Sequence, residues 1–193
     1  MKKQSKEKVV ELINIHKNML AAMETSCADT ILSIVNIITK SLKKGGCVYL
    51  CGNGGSAADA QHIAGEFVGR FKKERRALRA VALSTDTSII TSIANDYGYE
   101  KIFSKQVEAH VKKGDILWTL SGSGNSVNLI EAAKSAKKQG AVVIAFTGRK
   151  NSKLEKLCDI CFCVPNELIA RSQEMHQLGY HIICELVEEN FCR

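Results

Sequence analysis

A chain of 193 residues with 45% hydrophobic content and a single proline holds enough apolar material for one domain-sized core, which excludes a disordered chain. Its 27 Lys plus Arg against 20 Asp plus Glu leave a formal charge of +7, a balance that suits nucleic acid, an anionic membrane or a phosphorylated metabolite. The densest basic stretch, Lys72, Lys73, Arg75, Arg76 and Arg79, is interrupted by Glu74 and contains no aromatic residue, so it lacks the stacking groups of a single-strand reader and reads as a solvated loop.

The opening MKKQSKEKVV leads into no apolar stretch with a small-residue cleavage site, and nothing approaches ~18 consecutive apolar residues. The expectation is a soluble, cytoplasmic protein without a membrane or nucleic-acid partner. Residues 1–45 read as helical. Val9, Leu12, Ile13, His16, Met19, Leu20 and Met23 recur at helical spacing, and Ile31, Leu32, Val35, Ile38 and Leu42 continue a second amphipathic stretch ended by Gly45 and Gly46. Such helices suit packing on their own sheet or on another subunit.

After Gly46 short apolar runs alternate with helix-length segments, the pattern of βαβ units on a parallel sheet. Strands are expected at Val48 to Cys51, Arg79 to Leu83, Ile116 to Leu120, Val142 to Thr147 and Ile160 to Val164, with a final helix from about Ser172 to Asn190. The fold class that follows is α/β: a doubly wound, five-stranded parallel sheet flanked by helices over residues 46–193, with an N-terminal helical extension. With no repeat or Pro/Gly/Ser linker to divide it, 1–193 reads as a single domain. Ligands of such sheets collect beyond the carboxyl ends of the strands, so chemistry is expected in the loops after Cys51, Leu83 and Leu120.

The first of these loops is Cys51-Gly52-Asn53-Gly54-Gly55-Ser56, before a helix opening at Ala57-Ala58-Asp59. Glycine permits close ligand approach, and a helix start presents free N–H groups to an anion. Neither a G-x-G-x-x-G spacing nor a Gly-Lys-Ser/Thr is present, so it is no dinucleotide or Walker loop, and a tight turn with Ser56 as helix cap is the structural alternative. The loop after Leu120, Ser121-Gly122-Ser123-Gly124-Asn125-Ser126, places three hydroxyls at a second helix start, expected over Val127 to Gln139. Serine supplies short, rotatable donors to phosphate oxygens without added charge, and two such loops on one sheet point to a phosphate.

Eight cysteines in a reducing compartment are expected to be free thiols. Cys158 and Cys161 form a C-x-x-C with Cys163 close by, but no second pair stands at zinc-ribbon spacing, and Ile160 to Val164 reads as a buried strand in which Cys acts as a small hydrophobe.

The segments CGNGGSAADAQHIAGEFVGRF, NDYGYEKIF, SGSGNS and RSQEMHQLGYH, spanning residues 51 to 181, resemble the sugar isomerase (SIS) domain family, in particular the bacterial phosphoheptose isomerases. The serine loop alone marks the wider family; its combination with His62, Glu66, Gln173 and His181 marks the heptose enzymes. The resemblance implies isomerisation of sedoheptulose 7-phosphate to D-glycero-D-manno-heptose 7-phosphate, which supplies heptose for lipopolysaccharide or capsule. It also implies a homotetramer with one Zn2+ per subunit. By motif, Ser56, Ser121, Ser123 and Ser126, with Gly122 in the same loop, would hold the phosphate. Asn53, Gly54, Gly55, Asn95 and Asp96 would line the sugar site. His62, Glu66, Gln173 and His181 look like the metal set, with Glu66 and Gln173 also touching substrate, and Glu66 and His181 look like the acid/base pair. Ala170, where some relatives carry Asp, is a departure that removes one extra carboxylate.

The residue chemistry agrees. Moving a carbonyl between adjacent carbons needs a base for the carbon proton, an acid/base to shuttle protons between oxygens, and stabilisation of the enediolate. His62 and Glu66 share one helix face at i, i+4, where a solvated polar pair is the plain alternative; zinc accepts both ligand types and would polarise sugar oxygens. Gln173 and His181, eight apart in one helix, would be separated by about 12 Å along its axis and differ by roughly 80° in direction. One zinc ion is then not expected to take both from a single chain, unless Gln173 precedes the regular helix; the alternative is a site shared between subunits. Two rival readings remain: a non-catalytic SIS tetramer that binds a partner such as the replication initiator, against which Glu66 and His181 stand together, and another SIS activity on an arabinose phosphate or an amino sugar, against which the short chain argues.

Overall fold

The computed structural model describes residues 5–164 and 168–192. Helix α1 runs unbroken over Lys6–Lys43, so the two expected stretches are one helix; no glycine or proline interrupts residues 6–44, and Gly45, at φ +85°, takes the left-handed turn that ends it. Ser5 caps its start by accepting the Lys8 N–H at 3.3 Å. Met19, Met23, Cys27, Ile31, Val35, Ile38 and Leu42 form its buried stripe, whereas Val9, Val10 and Ile13 are about half exposed. By length and composition α1 is long and apolar enough to cross a membrane, and its buried stripe packs in the same core as the sheet and α7.

Five strands follow: β1 (Val48–Gly52), β2 (Ala80–Ala82), β3 (Ile116–Ser121), β4 (Val142–Thr147) and β5 (Ile160–Cys163). They pair in parallel in the order β2-β1-β3-β4-β5. β2 is shorter than expected, although Arg79 O and Leu83 N still bond to β1 at 2.9 and 2.8 Å. β1 and β3 are buried at every position, as strands covered on both faces must be. Helices α2 (Gly55–Val68) and α7 (Ile169–Glu189) join α1 on one face, around Trp118, Phe146 and Phe162. α3 (Thr87–Tyr97), α4 (Ser104–His110), α5 (Val127–Lys138) and α6 (Lys153–Leu157) cover the other, around Leu117, Leu129 and Val143. The strand order reverses direction between β1 and β3, which makes the carboxyl ends of these strands the switch point where ligands of such sheets collect. Both Gly/Ser loops start there, since Gly52 registers with Leu120.

Candidate active site

The serine loop folds around its own hydroxyls. Ser121, the last residue of β3, is buried, and its Oγ lies 3.5 Å from Ser123 Oγ and 3.4 Å from Ser126 Oγ. Gly124 turns at φ +64°, where its N–H donates to Ser121 Oγ at 3.1 Å; a Cβ there would fall 2.3 Å from Ser152 Oγ, so only glycine fits. Ser126 is the N-cap of α5 but makes no capping bond, so its hydroxyl, 3.4 Å from Ser121 Oγ, stands at the helix start without satisfying a backbone N–H, while the Leu129 N–H is taken by Asn128 Oδ1 at 3.0 Å.

The glycine loop is clamped to the serine loop by a reciprocal amide pair. Asn53 Nδ2 donates to Asn128 Oδ1 at 3.0 Å, Asn128 Nδ2 returns a bond to Asn53 Oδ1 at 2.8 Å, and Tyr99 O–H adds a third at 3.1 Å. Helix α2 begins earlier than expected, at Gly55, because Gly54 at φ +55° turns the chain directly into it. Ser56 is buried and receives Gln173 Nε2 at 3.4 Å, and a Cβ on Gly55 would meet the same Nε2 at 2.9 Å. The loop, its serine and the start of α7 are thus packed in contact.

Further along the α2–α7 seam, the ligand atoms of His62, Glu66 and His181 lie within 4.8 Å of one another. His62 Nε2 is 3.0 Å from Glu66 Oε1, and the His62 and His181 rings sit edge to face at 5.0 Å. His181 Nε2 is buried without a hydrogen-bond partner. Burial holds the His181 imidazole below its usual pKa, with His62 adding to the depression and Glu66 opposing it. A carboxylate and two imidazoles converging on one point, one with an unsatisfied buried nitrogen, fit a divalent metal such as zinc.

Gln173 and His181 both belong to the regular α7, which removes the possibility that Gln173 precedes the helix. Asn95 and Asp96 lie exposed on α3, bonded to each other at 2.9 Å, and no hydrogen bond among the described residues joins them to the loops or to the cluster. Ala170 starts α7 beside Arg171, which pairs with Glu174 at 2.8 Å. Asn128, Asp59 and Tyr180 escape a reading of the sequence: Asn128 looks like one more polar residue on an amphipathic helix, and a helical Tyr reads as core. The pairing of Asp59 with His62 at i, i+3 was the available signal.

The basic stretch is the exposed loop its composition suggests at Lys72, Lys73, Arg76 and Arg79, with Arg75 as the exception. Lys72 and Lys73 pair with Glu185 and Glu189 on α7 at 2.8 and 3.1 Å, and Arg76 stacks over Phe191. Arg75 is buried, donating to the Glu66 and Gly69 carbonyls at 2.6 and 2.7 Å. Apolar neighbours alone could not bury a guanidinium; Glu188, next to it, supplies the charge. The described cysteines are free, and Cys161 and Cys163 lie on β5 as expected.

Fold and site define a doubly wound α/β protein with a hydroxyl-lined loop at the sheet's switch point and a carboxylate–imidazole cluster on the α2–α7 seam. The SIS domain model matches residues 13–148. The phosphoheptose isomerase of Aquifex aeolicus is 49% identical over 96% of this chain and 97% of its own. Among solved structures, phosphoheptose isomerase from Neisseria gonorrhoeae superposes at TM-score 0.89 with 39% identity over 95% of this chain and 98% of that one. The enzyme from Francisella tularensis superposes at 0.93 with 32% identity over 96% and 99%. The chain belongs to the SIS-domain family, among the phosphoheptose isomerases, and is thereby a sugar-phosphate isomerase.

Proposed function

We propose that the protein interconverts D-sedoheptulose 7-phosphate and D-glycero-D-manno-heptose 7-phosphate, with the serine loop holding the phosphate and Glu66 and His181 moving the protons. The observation that carries the assignment of roles is the meeting of Glu66 and His181 within 4.8 Å on the seam that starts at the glycine loop. Gln173 touches Ser56 at the loop end of the seam and lies about 12 Å along α7 from His181, which leaves room between loop and cluster for an extended sugar phosphate.

Glu66 takes a proton from C1 of the ketose and the electron pair forms the enediolate; the carboxylic acid exchanges that proton with solvent before one is returned to C2. His181, whose depressed pKa leaves the imidazole neutral near pH 7, carries the hydroxyl proton from O1 to O2. Asn53, Gly54, Gly55, Asn95 and Asp96 would face the sugar hydroxyls. A zinc ion on His62, Glu66 and His181, with Gln173 of a neighbouring chain as a further ligand, would supply Lewis-acid polarisation of the two sugar oxygens.

The site would be completed in a homotetramer. A groove of about 640 Å³ between α1 and α7 is walled by Leu20, Met23, Ile31, Leu178, Ile182 and Leu186. An adjoining groove of about 800 Å³ runs past Ile13, Leu20 and Arg171 to Gln177 and His181, so a chain seated on α1 would close the site from above. A cytoplasmic location and delivery of the product to lipopolysaccharide or capsule complete the reading. The test is a panel of ketose phosphates offered to wild type and to Glu66→Gln, with formation of the heptose aldose followed. Turnover of the seven-carbon ketose by wild type and a loss of roughly 10²–10⁴-fold in the variant are expected. Equal rates for both proteins would remove Glu66 as the base.

A further inference from the structure

The cluster continues inward through a pair that the proton transfers do not use. Tyr180 is fully buried, and its hydroxyl lies 3.3 Å from Asp59 Oδ1 and 3.1 Å from His62 Nδ1. Asp59 and His62 are three residues apart on α2 and Glu66 is four further on, so the three share one face. Tyr180 neighbours His181 on α7, and its ring meets both the His62 and the His181 rings edge to face at 5.6 and 4.8 Å.

The hydroxyl has one proton to give. An ionised Asp59 only accepts, so the phenol donates there and must accept from its other neighbour. The proton between the phenol and the imidazole then belongs to His62 Nδ1. We infer that Tyr180 and Asp59 are positioning residues that fix His62 as its Nδ1–H tautomer and aim the Nε2 lone pair at Glu66 and His181. The other tautomer would donate from Nε2 to Glu66 Oε1 at 3.0 Å; in the Nδ1–H form both atoms accept, and a cation between them takes the place of that proton, so the tautomer set at Tyr180 prepares the cluster for a metal ion. The inference rests on the metal reading above for its purpose but not for its geometry.

Two measurements separate the two claims. In metal-free protein carrying 15N-labelled histidine, at alkaline pH, long-range proton–nitrogen spectra report which ring nitrogen of His62 bears the proton, with His62→Gln providing the assignment. Wild type should show Nδ1–H. Tyr180→Phe keeps the buried ring and removes the oxygen, and it should shift His62 toward the Nε2–H form. Asp59→Asn, whose amide can donate to the phenol and turn its proton toward His62, should do the same. An Nε2–H wild type, or a tautomer unmoved in both variants, overturns the inference whatever the metal does. Zn2+ affinity, measured by competition with a chromophoric chelator, should fall by about 10–100-fold in Tyr180→Phe, as second-shell losses do. Unchanged affinity in a variant whose tautomer has moved overturns the link to the metal. A wild-type affinity insensitive to His181→Ala instead overturns the metal reading and leaves the tautomer to the spectra.

Discussion

Replacing Glu188 by Gln should cost more stability than its place at the end of a surface helix suggests. Its side chain and that of Arg75 are 2% and 1% exposed, with Arg75 Nε 3.5 Å from Glu188 Oε1. Glu188 Oε1 accepts the Phe71 N–H at 2.8 Å, and Oε2 accepts those of Lys72 and Lys73 at 2.7 and 2.8 Å. One glutamine oxygen can keep the two bonds on Oε2, but the amide nitrogen then faces the Phe71 N–H and the guanidinium. The variant loses a charge-assisted bond of about 1.5–3 kcal/mol and leaves a buried Arg75 without a counter-charge, together about 3–5 kcal/mol. At ~2–4 °C per kcal/mol for a chain of this size, the melting temperature should fall by roughly 6–20 °C. Because Arg75 donates to the Glu66 carbonyl at 2.6 Å, the loss should reach the helix that carries the proposed base and lower turnover as well. Urea unfolding of chelator-treated protein measures the effect, and Glu189→Gln, which breaks an exposed pair with Lys73, is the control and should leave stability nearly unchanged. The backbone N–H bonds and Arg75 outweigh burial and hold the Glu188 pKa below the usual carboxylate range. A depressed folded pKa stabilises above the unfolded value, near ~4.3, and that stability is lost as pH falls through the folded value. The gap between wild type and variant should be constant above about pH 5 and shrink below about pH 4. A loss under ~1 kcal/mol at neutral pH, or a gap that widens in acid, would refute this account of the pair.

Ser123→Ala should weaken the phosphorylated sugar by about 10–100-fold, the equivalent of one hydrogen bond to a charged group, and leave the affinity for the unphosphorylated ketose unchanged; calorimetric titration of both ligands checks it. Asn128→Ala breaks both bonds of the reciprocal amide pair, so the two loops should lose their common register and KM should rise with the fold intact by circular dichroism. If the site is shared, mixing inactive Glu66→Gln with inactive His181→Ala and allowing subunits to exchange should restore activity. No recovery despite proven exchange would place both groups on one chain, as their 4.8 Å approach within a single chain permits, and would confine any sharing to Gln173.

Period and punctuation made most of the sheet legible. Val142–Thr147 matches its expected bounds, and β1 and β3 each differ by one residue, because strands buried on both faces read as short unbroken apolar runs. Edge strand β2 was over-read at both ends: Arg79 and Leu83 bond to β1 although they lie outside the strand. The N-terminal helices looked like two because the apolar stripe drifts around a long helix, while nothing in the sequence breaks it. At the site, serines and glycines after strands announced themselves by composition. Asn128, Tyr180 and Asp59 did not, since their roles come from partners 75, 118 and 121 residues away in sequence. Arg75 was misread for the same reason, as the acid that permits its burial lies on the last helix.

Running the reaction in deuterium oxide tests the central claim most directly. Sedoheptulose 7-phosphate is incubated with the enzyme, and the heptose 7-phosphate formed is examined by mass spectrometry and proton NMR. Proton transfer through Glu66 predicts an aldose that carries solvent deuterium at C2, with incorporation and turnover falling together in Glu66→Gln. An aldose formed at the wild-type rate with only protium at C2 and no exchange into the remaining ketose would contradict a solvent-exchanging carboxylate base, and no aldose at all would contradict the function.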